Sequence, residues 1–523
     1  MYSFLNYLRR YRAVFITLAI FLVLFLLAMG GMDTKDWITT LLRSLSVAAL
    51  TFLVASGFSL IFGLLDVLNL AHGTLFMVGA YVAWSVYVRP DTFIDLFTPV
   101  ALIASGFVLL PLWTQLAMRF KTEHKIFRYW PWLGLVSAAG ILYYVVPRYP
   151  IAIWNPGVYA ESPVTYSLLV SMGTKISPPT PSFTAIPPLL ALLGVFLAGI
   201  LIAFALAGLK QGHNAIKEHT QVQIPWKYWA VFGLLIIAGC TVFIFNGPIT
   251  NAVLSLNTTI LFFIAVIMAL LIGAALGAAL ESTLIRPLYS RPIYQLMMTL
   301  GIGAVGVELV NGIWGRPEFT LPLPELFNGT GAGCPATSIA GWFHSHCSII
   351  LLYGARLRVY NEIFIPLVGI IVLISIWLVL KRTRLGMIIR AGVQDREMVE
   401  ALGINIRRVF TMVFALGVGL ASLGGALAGP SMGLSPGMGE SLLLNVLIAL
   451  AIGGLTSYPG AAAGSLLVGL IQQFIIKYGQ IGIPIPFLDK PFKPSPTLVP
   501  ASTVLLMVII LLVMPNGLFG RKE

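Results

Sequence analysis

Fourteen apolar runs, nearly all without a charge, divide this chain: 13–29, 38–64, 72–88, 100–117, 131–147, 187–208, 229–246, 255–280, 294–314, 362–380, 408–429, 441–456, 460–477 and 498–515. Most match the roughly 20 residues that a helix rising 1.5 Å per residue needs to cross about 30 Å of hydrocarbon. Backbone amides in lipid must be satisfied within their own segment or in a closed barrel, so runs of this length without strand alternation mean helices. The expected fold is all-α, a polytopic transmembrane bundle of about 14 helices. Composition excludes the soluble alternative: 58% of residues are hydrophobic and 10% charged, where soluble domains carry about 25% charged residues.

The net charge of +13 is a matter of topology, because Lys and Arg sit in short connectors and not on one basic face; no nucleic acid is implied. With the N-terminus placed in the cytoplasm and the runs alternating, 21 Lys/Arg fall inside and 10 outside, with Arg43 within a run. Both termini are then cytoplasmic. The first run, behind Arg9, Arg10 and Arg12, reads as an uncleaved helix and not a signal peptide, since no Ala-x-Ala site follows.

One inside connector stands out. Lys381 to Arg408 holds seven Lys/Arg and three acids in 28 residues. Gln394 to Leu402 reads as a short helix with Met398, Val399 and Leu402 on one face and Arg396, Glu397 and Glu400 wet. Gly403 suits its C′ position. The island is either a solvated connector or a docking helix for a cytosolic partner.

Two outside segments are long: 148–186, rich in proline, and 315–361, with Cys334 and Cys347 13 positions apart. A disulfide, two free thiols and a metal site using His344, His346 and Cys347 all remain open at this point. The sequence holds no phosphate-binding Gly-x-x-x-x-Gly-Lys-Ser/Thr loop. Nor do the helices contain a Ser/His/Asp set or a His/Glu metal spacing. No enzyme activity and no cofactor are expected, and ATP-derived energy has to come from a partner.

The runs are broken twice. Phe62 to Thr74 mixes glycines with Asp66, Asn69 and His72, next to Gly73. Ala451 to Gly460 contains Gly453, Gly454 and Pro459. Each is either a hairpin turn, with His72 satisfying a nearby carbonyl, or an interruption beside a transport path. The ionisable residues expected within the membrane are Arg43, Asp66, His72 and Glu308, and no midplane relay is apparent. That disfavours an ion-coupled secondary transporter, the alternative function.

Ser59–Leu64, Asn69–Gly73 and Gly79–Tyr81 resemble the first block of the permease subunits of branched-chain amino-acid ABC importers of the LivH type. Glu281–Pro292 with Thr299–Gly301, and Gly453–Leu455 with Pro459–Ala461, are similar to later blocks, as is Pro515–Arg521 to the tail. Thr383–Gly386, Arg390, Gln394, Asp395 and Gly403–Asn405 resemble the coupling loop. The resemblance implies ATPase-coupling residues Arg390, Asp395, Arg396, Glu397, Met398, Val399, Leu402 and Gly403. It implies a translocation path near Asp66, Asn69, His72, Gly73, Gly453 and Gly454. It further implies a second homologous permease subunit, two cytosolic ATPase subunits and an extracytoplasmic solute-binding protein. The solute would be a branched-chain amino acid, or a small polar solute such as urea or an amide. Residues 89–251 have no counterpart and read as a four-helix insertion between 1–88 and a 252–523 permease core.

Overall fold

The computed structural model describes residues 30–119, 129–145, 187–211, 224–394, 396–483 and 491–519, except positions 316, 317, 319 and 332, and also Leu22 and Leu26. Most of the first apolar run, the 148–186 segment, Asp395 and the basic C-terminal residues lie outside the described residues.

The elements follow the expected order. α1 (Thr34–Leu65) and α2 (His72–Val88) come first, then α3 (Pro90–Val108), α4 (Leu110–Arg119), α5 (Trp130–Val145), α6 (Pro188–Gln211), α7 (Trp226–Ile244) and α8 (Asn246–Leu254). α9 (Thr258–Leu280) runs into a π-turn at Glu281–Ile285 and is followed by α10 (Pro292–Trp314) and the short α11 (Ile339–Ser345). Strands β1 (Ile349–Leu352) and β2 (Ala355–Arg358) pair antiparallel. Tyr353 and Gly354 between them both have positive φ, as a two-residue I′ hairpin turn requires. A second π-turn at Val359–Phe364 leads into α12 (Ile365–Arg382). Then come α13 (Arg384–Gln394), α14 (Arg396–Ala401), α15 (Ile406–Met432), α16 (Met438–Gly453), α17 (Tyr458–Ile481) and α18 (Leu498–Val513).

Every expected run within the described residues is helical. Among the described residues, eight helices are long and apolar enough to cross a membrane, or nine if the pair bent by 50° at Leu109 is one span. α5, α16 and α18 are apolar but shorter. Starts follow local chemistry. Asn257, Asn405 and Ser457 accept backbone N–H bonds as N-caps of α9, α15 and α17, and Pro292, Pro366 and Pro459 occupy first-turn positions, where a missing N–H costs nothing.

One boundary differs from expectation. α3 begins at Pro90, ten residues before the apolar run at 100, and carries the buried acids Asp91 and Asp95. Arg89 pairs with Asp91 through two bonds, of 3.1 and 2.8 Å, and Asn246 donates to Asp95. Paired acids can enter a helix that hydropathy alone would start later. The bend at Leu109 falls where Pro111 lacks the N–H that would continue the ladder.

Described residues from Val88 to Leu256 form one compact unit, and those up to Tyr87 and from Asn257 onward form another. The smaller unit packs Leu102, Val145, Ala191 and Val195 as a core. In the larger, α1 and α15 are central: 83% and 78% of their most apolar windows are buried, against 11% for α10, whose exposed Ile293, Met297 and Leu309 suit lipid. Small residues allow the central contact. A Cβ on Gly57 would lie 2.2 Å from the Gly417 carbonyl oxygen, and one on Gly79 2.3 Å from that of Ser422. The glycines of α15 are therefore packing surfaces.

Candidate functional site

The end of the larger unit that carries the cysteine loop holds a polar cleft of about 410 Å³, within the roughly 300–1,000 Å³ usual for small-molecule pockets. It is lined from α1 by Arg43, Ser46, Leu50 and Thr51, and from the second π-turn by Asn361 and Glu362. The end of α15, α16 and α17 contribute Ser431, Asn445, Gln472 and Gln473. Glu362 is 2% exposed and Arg43 46%. Arg43 Nε donates to Glu362 Oε1 at 2.9 Å, and the Arg358 backbone N–H donates to Glu362 Oε2. Gln472 donates to Asn445 Oδ1 at 3.1 Å, and Ser431 to Asn361 at 2.7 Å. Val47, Leu50, Met432 and Leu442 supply apolar wall.

Arg43, expected within the membrane, therefore has a buried partner. With Asp91 and Asp95 of the smaller unit, the buried Glu362 and Glu281 of the larger one correct the expectation that the ionisable residues within the membrane are Arg43, Asp66, His72 and Glu308. Glu362 opens an apolar run, and Glu281 follows one within the Glu281–Pro292 block, so each looks like a boundary residue. A signal for Glu281 was present, an arginine five positions on.

The cleft is held by the cysteine loop. Cys334 and Cys347 are joined by a disulfide, which removes Cys347 from any metal set with His344 and His346. Phe327 stacks on Trp342 and meets the rings of Tyr360 and Phe364, while the Tyr360 hydroxyl donates to Leu427 O at 2.8 Å. Neither Cys334 nor Cys347 is expected to react with a maleimide in purified protein until a reductant is added; labelling both without reductant would remove the bridge.

The first interruption is re-entrant. His72 lies at hydrogen-bond distance from Val54 O, with Nε2 3.1 Å away, and Val54 is eleven residues, about 16 Å, back along α1 from Leu65. The seven steps from Leu65 to His72 reach at most about 24 Å, so non-helical chain climbs alongside the helix it has just left. Thr299 Oγ1 accepts from Leu70 N at 3.3 Å, and its one proton has two acceptors in reach, Leu296 O at 2.9 Å and Leu68 O at 3.3 Å. Asn69 is buried with Nδ2 lacking a partner among the described residues. Asp66 is exposed and caps α1 in the left-handed region. His72 thus lies beside a carbonyl, and the segment returns into the bundle.

The glycines assigned to the path do something else. A Cβ on Gly73 would sit 2.4 Å from Gly439 O, and one on Gly453 1.9 Å from Gly460 O. These positions are filled by helix backbone and leave no room for a solute, which corrects their assignment. Gly454, at φ +106, ends α16. The two interruptions do approach each other: a Cβ on Gly63 would be 3.4 Å from Thr456 O.

The charged island is two helices, α13 and α14, and not one. Met398 and Leu402 are 59% and 72% exposed, while Val399 is 2% exposed. Val399 therefore faces this chain and not a partner, which corrects the three-residue face. Gly403 has φ +79; its N–H reaches Glu400 O at 2.9 Å and that of Ile404 reaches Val399 O at 3.3 Å, a Schellman closure. Arg390 donates to Leu380 O at the end of α12. Glu397 is exposed, Asp395 lies outside the described residues, and the Arg396 side chain is not described.

Beside the island, Glu281 is 0% exposed. It accepts from Arg286 Nε at 3.1 Å and Nη2 at 2.7 Å, and from the Tyr289 and Thr411 hydroxyls, each at 2.7 Å. Among the described residues, no three His, Cys, Asp or Glu side chains group as metal ligands.

The sequence of this chain has counterparts among known proteins. Residues 40–515 match the family model described as branched-chain amino acid transport system / permease component. The chain is 26% identical over 257 residues to the high-affinity branched-chain amino acid transport system permease protein LivH of Escherichia coli K12, covering 49% of this chain and 73% of that one. It is 32% identical over 165 residues to BraD of Pseudomonas aeruginosa, with 31% and 49% covered. It is also 29% identical over 137 residues to the fructose import permease protein FrcC of Rhizobium meliloti, with 24% and 38% covered. No solved structure matches. A match across nearly the whole chain, on a bundle of apolar helices with a docked charged island, makes this a multi-pass membrane transport permease that belongs to the branched-chain amino acid transport system permease family.

Proposed function

We propose that this permease works in an ATP-driven importer in which the cleft at the cysteine-loop end receives a branched-chain amino acid. Two cytosolic ATPase subunits would dock on α13 and α14, and a second permease would complete the path. An extracytoplasmic binding protein would deliver the solute at the cleft mouth. The basic island and both termini then face the cytoplasm. Residues 89–251 would be the inserted part of the chain.

The cleft carries this reading. A zwitterionic amino acid needs a cation for its carboxylate, an acceptor for its ammonium and apolar wall for its side chain. Arg43, the amide oxygens of Asn361 and Asn445, and Val47, Leu50 and Leu442 supply these around one cavity. ATP binding would close the ATPases, and α13 and α14 would pass that motion to α12 and α15, opening the path alternately to each side.

The test is uptake of radiolabelled leucine into vesicles holding the whole complex. Uptake should need ATP, survive an uncoupler and be competed by isoleucine and valine but not by fructose. Uptake that persists without ATP and collapses with an uncoupler would instead favour the ion-coupled alternative. The Asn445→Leu/Gln472→Leu double variant removes a partly buried polar pair without leaving either partner unpaired, and should lower leucine uptake about tenfold with the ATPase still bound. Wild-type uptake by this variant would exclude the cleft as the solute's route.

A further inference from the structure

The Glu281 cluster joins two helices that the chain separates by 125 residues or more. Glu281, Arg286 and Tyr289 belong to the π-turn after α9 and the chain just beyond it, while Thr411 sits in the second turn of α15. Thr411 Oγ1 accepts from Arg286 Nη2 at 2.6 Å and lies 2.7 Å from Glu281 Oε2. Its one proton has a rival acceptor, Arg407 O at 2.9 Å, but a buried carboxylate is the stronger one. The ring of Tyr289 also meets Phe410 edge-on, with centroids 5.9 Å apart.

This tie sits where the island enters the bundle. Val399 of α14 is buried, and its carbonyl accepts the Ile404 N–H immediately before α15. A Cβ on Gly392 of α13 would lie 2.9 Å from Ile406, the first residue of α15. From there α15 runs unbroken to Ser431 and Met432 in the cleft. Along the way it stays against α9: a Cβ on Gly277 would be 2.8 Å from Val418, and one on Gly273 2.1 Å from the Ser422 hydroxyl. Packing alone lets two smooth helices slide; a charge-assisted bond at one end fixes their register.

Building on the importer reading above, we infer that Glu281 and Thr411 are positioning residues that lock α15 to α9 in register, so that a push on the island moves both helices together. The quantity this tie controls is the amount of solute moved per ATP hydrolysed. π-turns inside helices often mark functional positions, and here the π-turn turns the Glu281 carboxylate toward α15.

The test uses the complete complex in vesicles and measures leucine uptake and ATP hydrolysis on the same sample. Thr411→Val removes the bridge and leaves the Glu281–Arg286 pair intact. Leucine moved per ATP should fall about tenfold while the ATPase still co-purifies. Thr411→Ser should restore the ratio. Tyr289→Phe deletes a bond to Glu281 that does not reach α15, and should keep it. A wild-type ratio in Thr411→Val overturns the inference, as does an equal loss in Tyr289→Phe, which would make the cluster merely structural. If Thr411→Val is not recovered in the membrane, Thr411→Ala is measured in its place; failure of both means that the hydroxyl serves folding, and the inference falls. Failure of the importer reading itself is distinguishable, because wild-type uptake would then not require ATP.

Discussion

Gly425→Val is expected to leave little or no folded transporter. Helix propensity alone favours the change slightly, because glycine is about 0.4 kcal/mol worse than valine inside a helix. Packing decides otherwise. A Cβ at position 425 would lie 1.9 Å from the Phe76 carbonyl oxygen, 2.9 Å from its carbon and 3.0 Å from Ala80 N. These are backbone atoms of α2, which cannot rotate away, so α2 and α15 must separate. The neighbouring contacts of Ser422 with Gly79 and Leu75 oppose that. Overpacking of this kind costs about 3 kcal/mol or more, a large share of the roughly 5–15 kcal/mol that holds a domain together. Gly301→Val on the exposed face of α10, where an added Cβ meets nothing within 4 Å, should be recovered normally. The measurement is the yield and melting temperature of monodisperse protein in detergent. A Gly425→Val protein melting with the wild type would mean that α2 and α15 do not touch at that level.

Leu402→Asp should separate the permease from its ATPase. Met398 and Leu402 lie one helical turn apart at the end of α14, both exposed and apolar. Buried apolar anchors dominate docked interfaces, and losing one weakens binding about 30-fold or more. Glu400→Gln should be nearly silent, because exposed charges contribute little. Gly403→Val should be intermediate, since a β-branched residue at φ +79 strains the Schellman closure by about 1–2 kcal/mol. Co-purification of the ATPase with each variant, and leucine uptake, check all three. If Leu402→Asp keeps its partner while Glu400→Gln loses it, the wet face is the docking face. Val399→Asp is a poor test, because that side chain is buried in the permease and its loss would act through misfolding.

Much of the helical framework was legible because each run answers to one local constraint, the need to bury amides in a segment long enough for lipid. The closure at Gly403 was legible for the same reason: backbone hydrogen bonding over a few residues decides it. The early start of α3 was not, because Asp91 and Asp95 look forbidding until Arg89 and Asn246 are beside them. The split of the island into α13 and α14 was missed as well, since short charged helices carry too few apolar residues to set their own limits.

The candidate site divides along the same line. From Lys381–Arg408 alone a charged island could be read, with Met398, Val399 and Leu402 on one face of a short helix, because amphipathic spacing is local; that Val399 is buried against this chain could not. The cleft could not be seen. Arg43 and Glu362 are 319 residues apart, Asn445 and Gln472 lie on different helices, and the end of α15 reaches the cleft through Ser431, which meets Asn361. The glycines at 73 and 453 looked like path residues and are helix contacts, since a missing side chain admits either a solute or a backbone and the sequence does not say which. By itself the sequence determined that this chain spans a membrane as a helical bundle with one charged island, because hydrophobic length and charge act on each segment separately. Only the tertiary structure decided which polar groups are buried against one another, at the cleft and at Glu281, because a buried charge is tolerated only beside a partner and those partners come from distant parts of the chain.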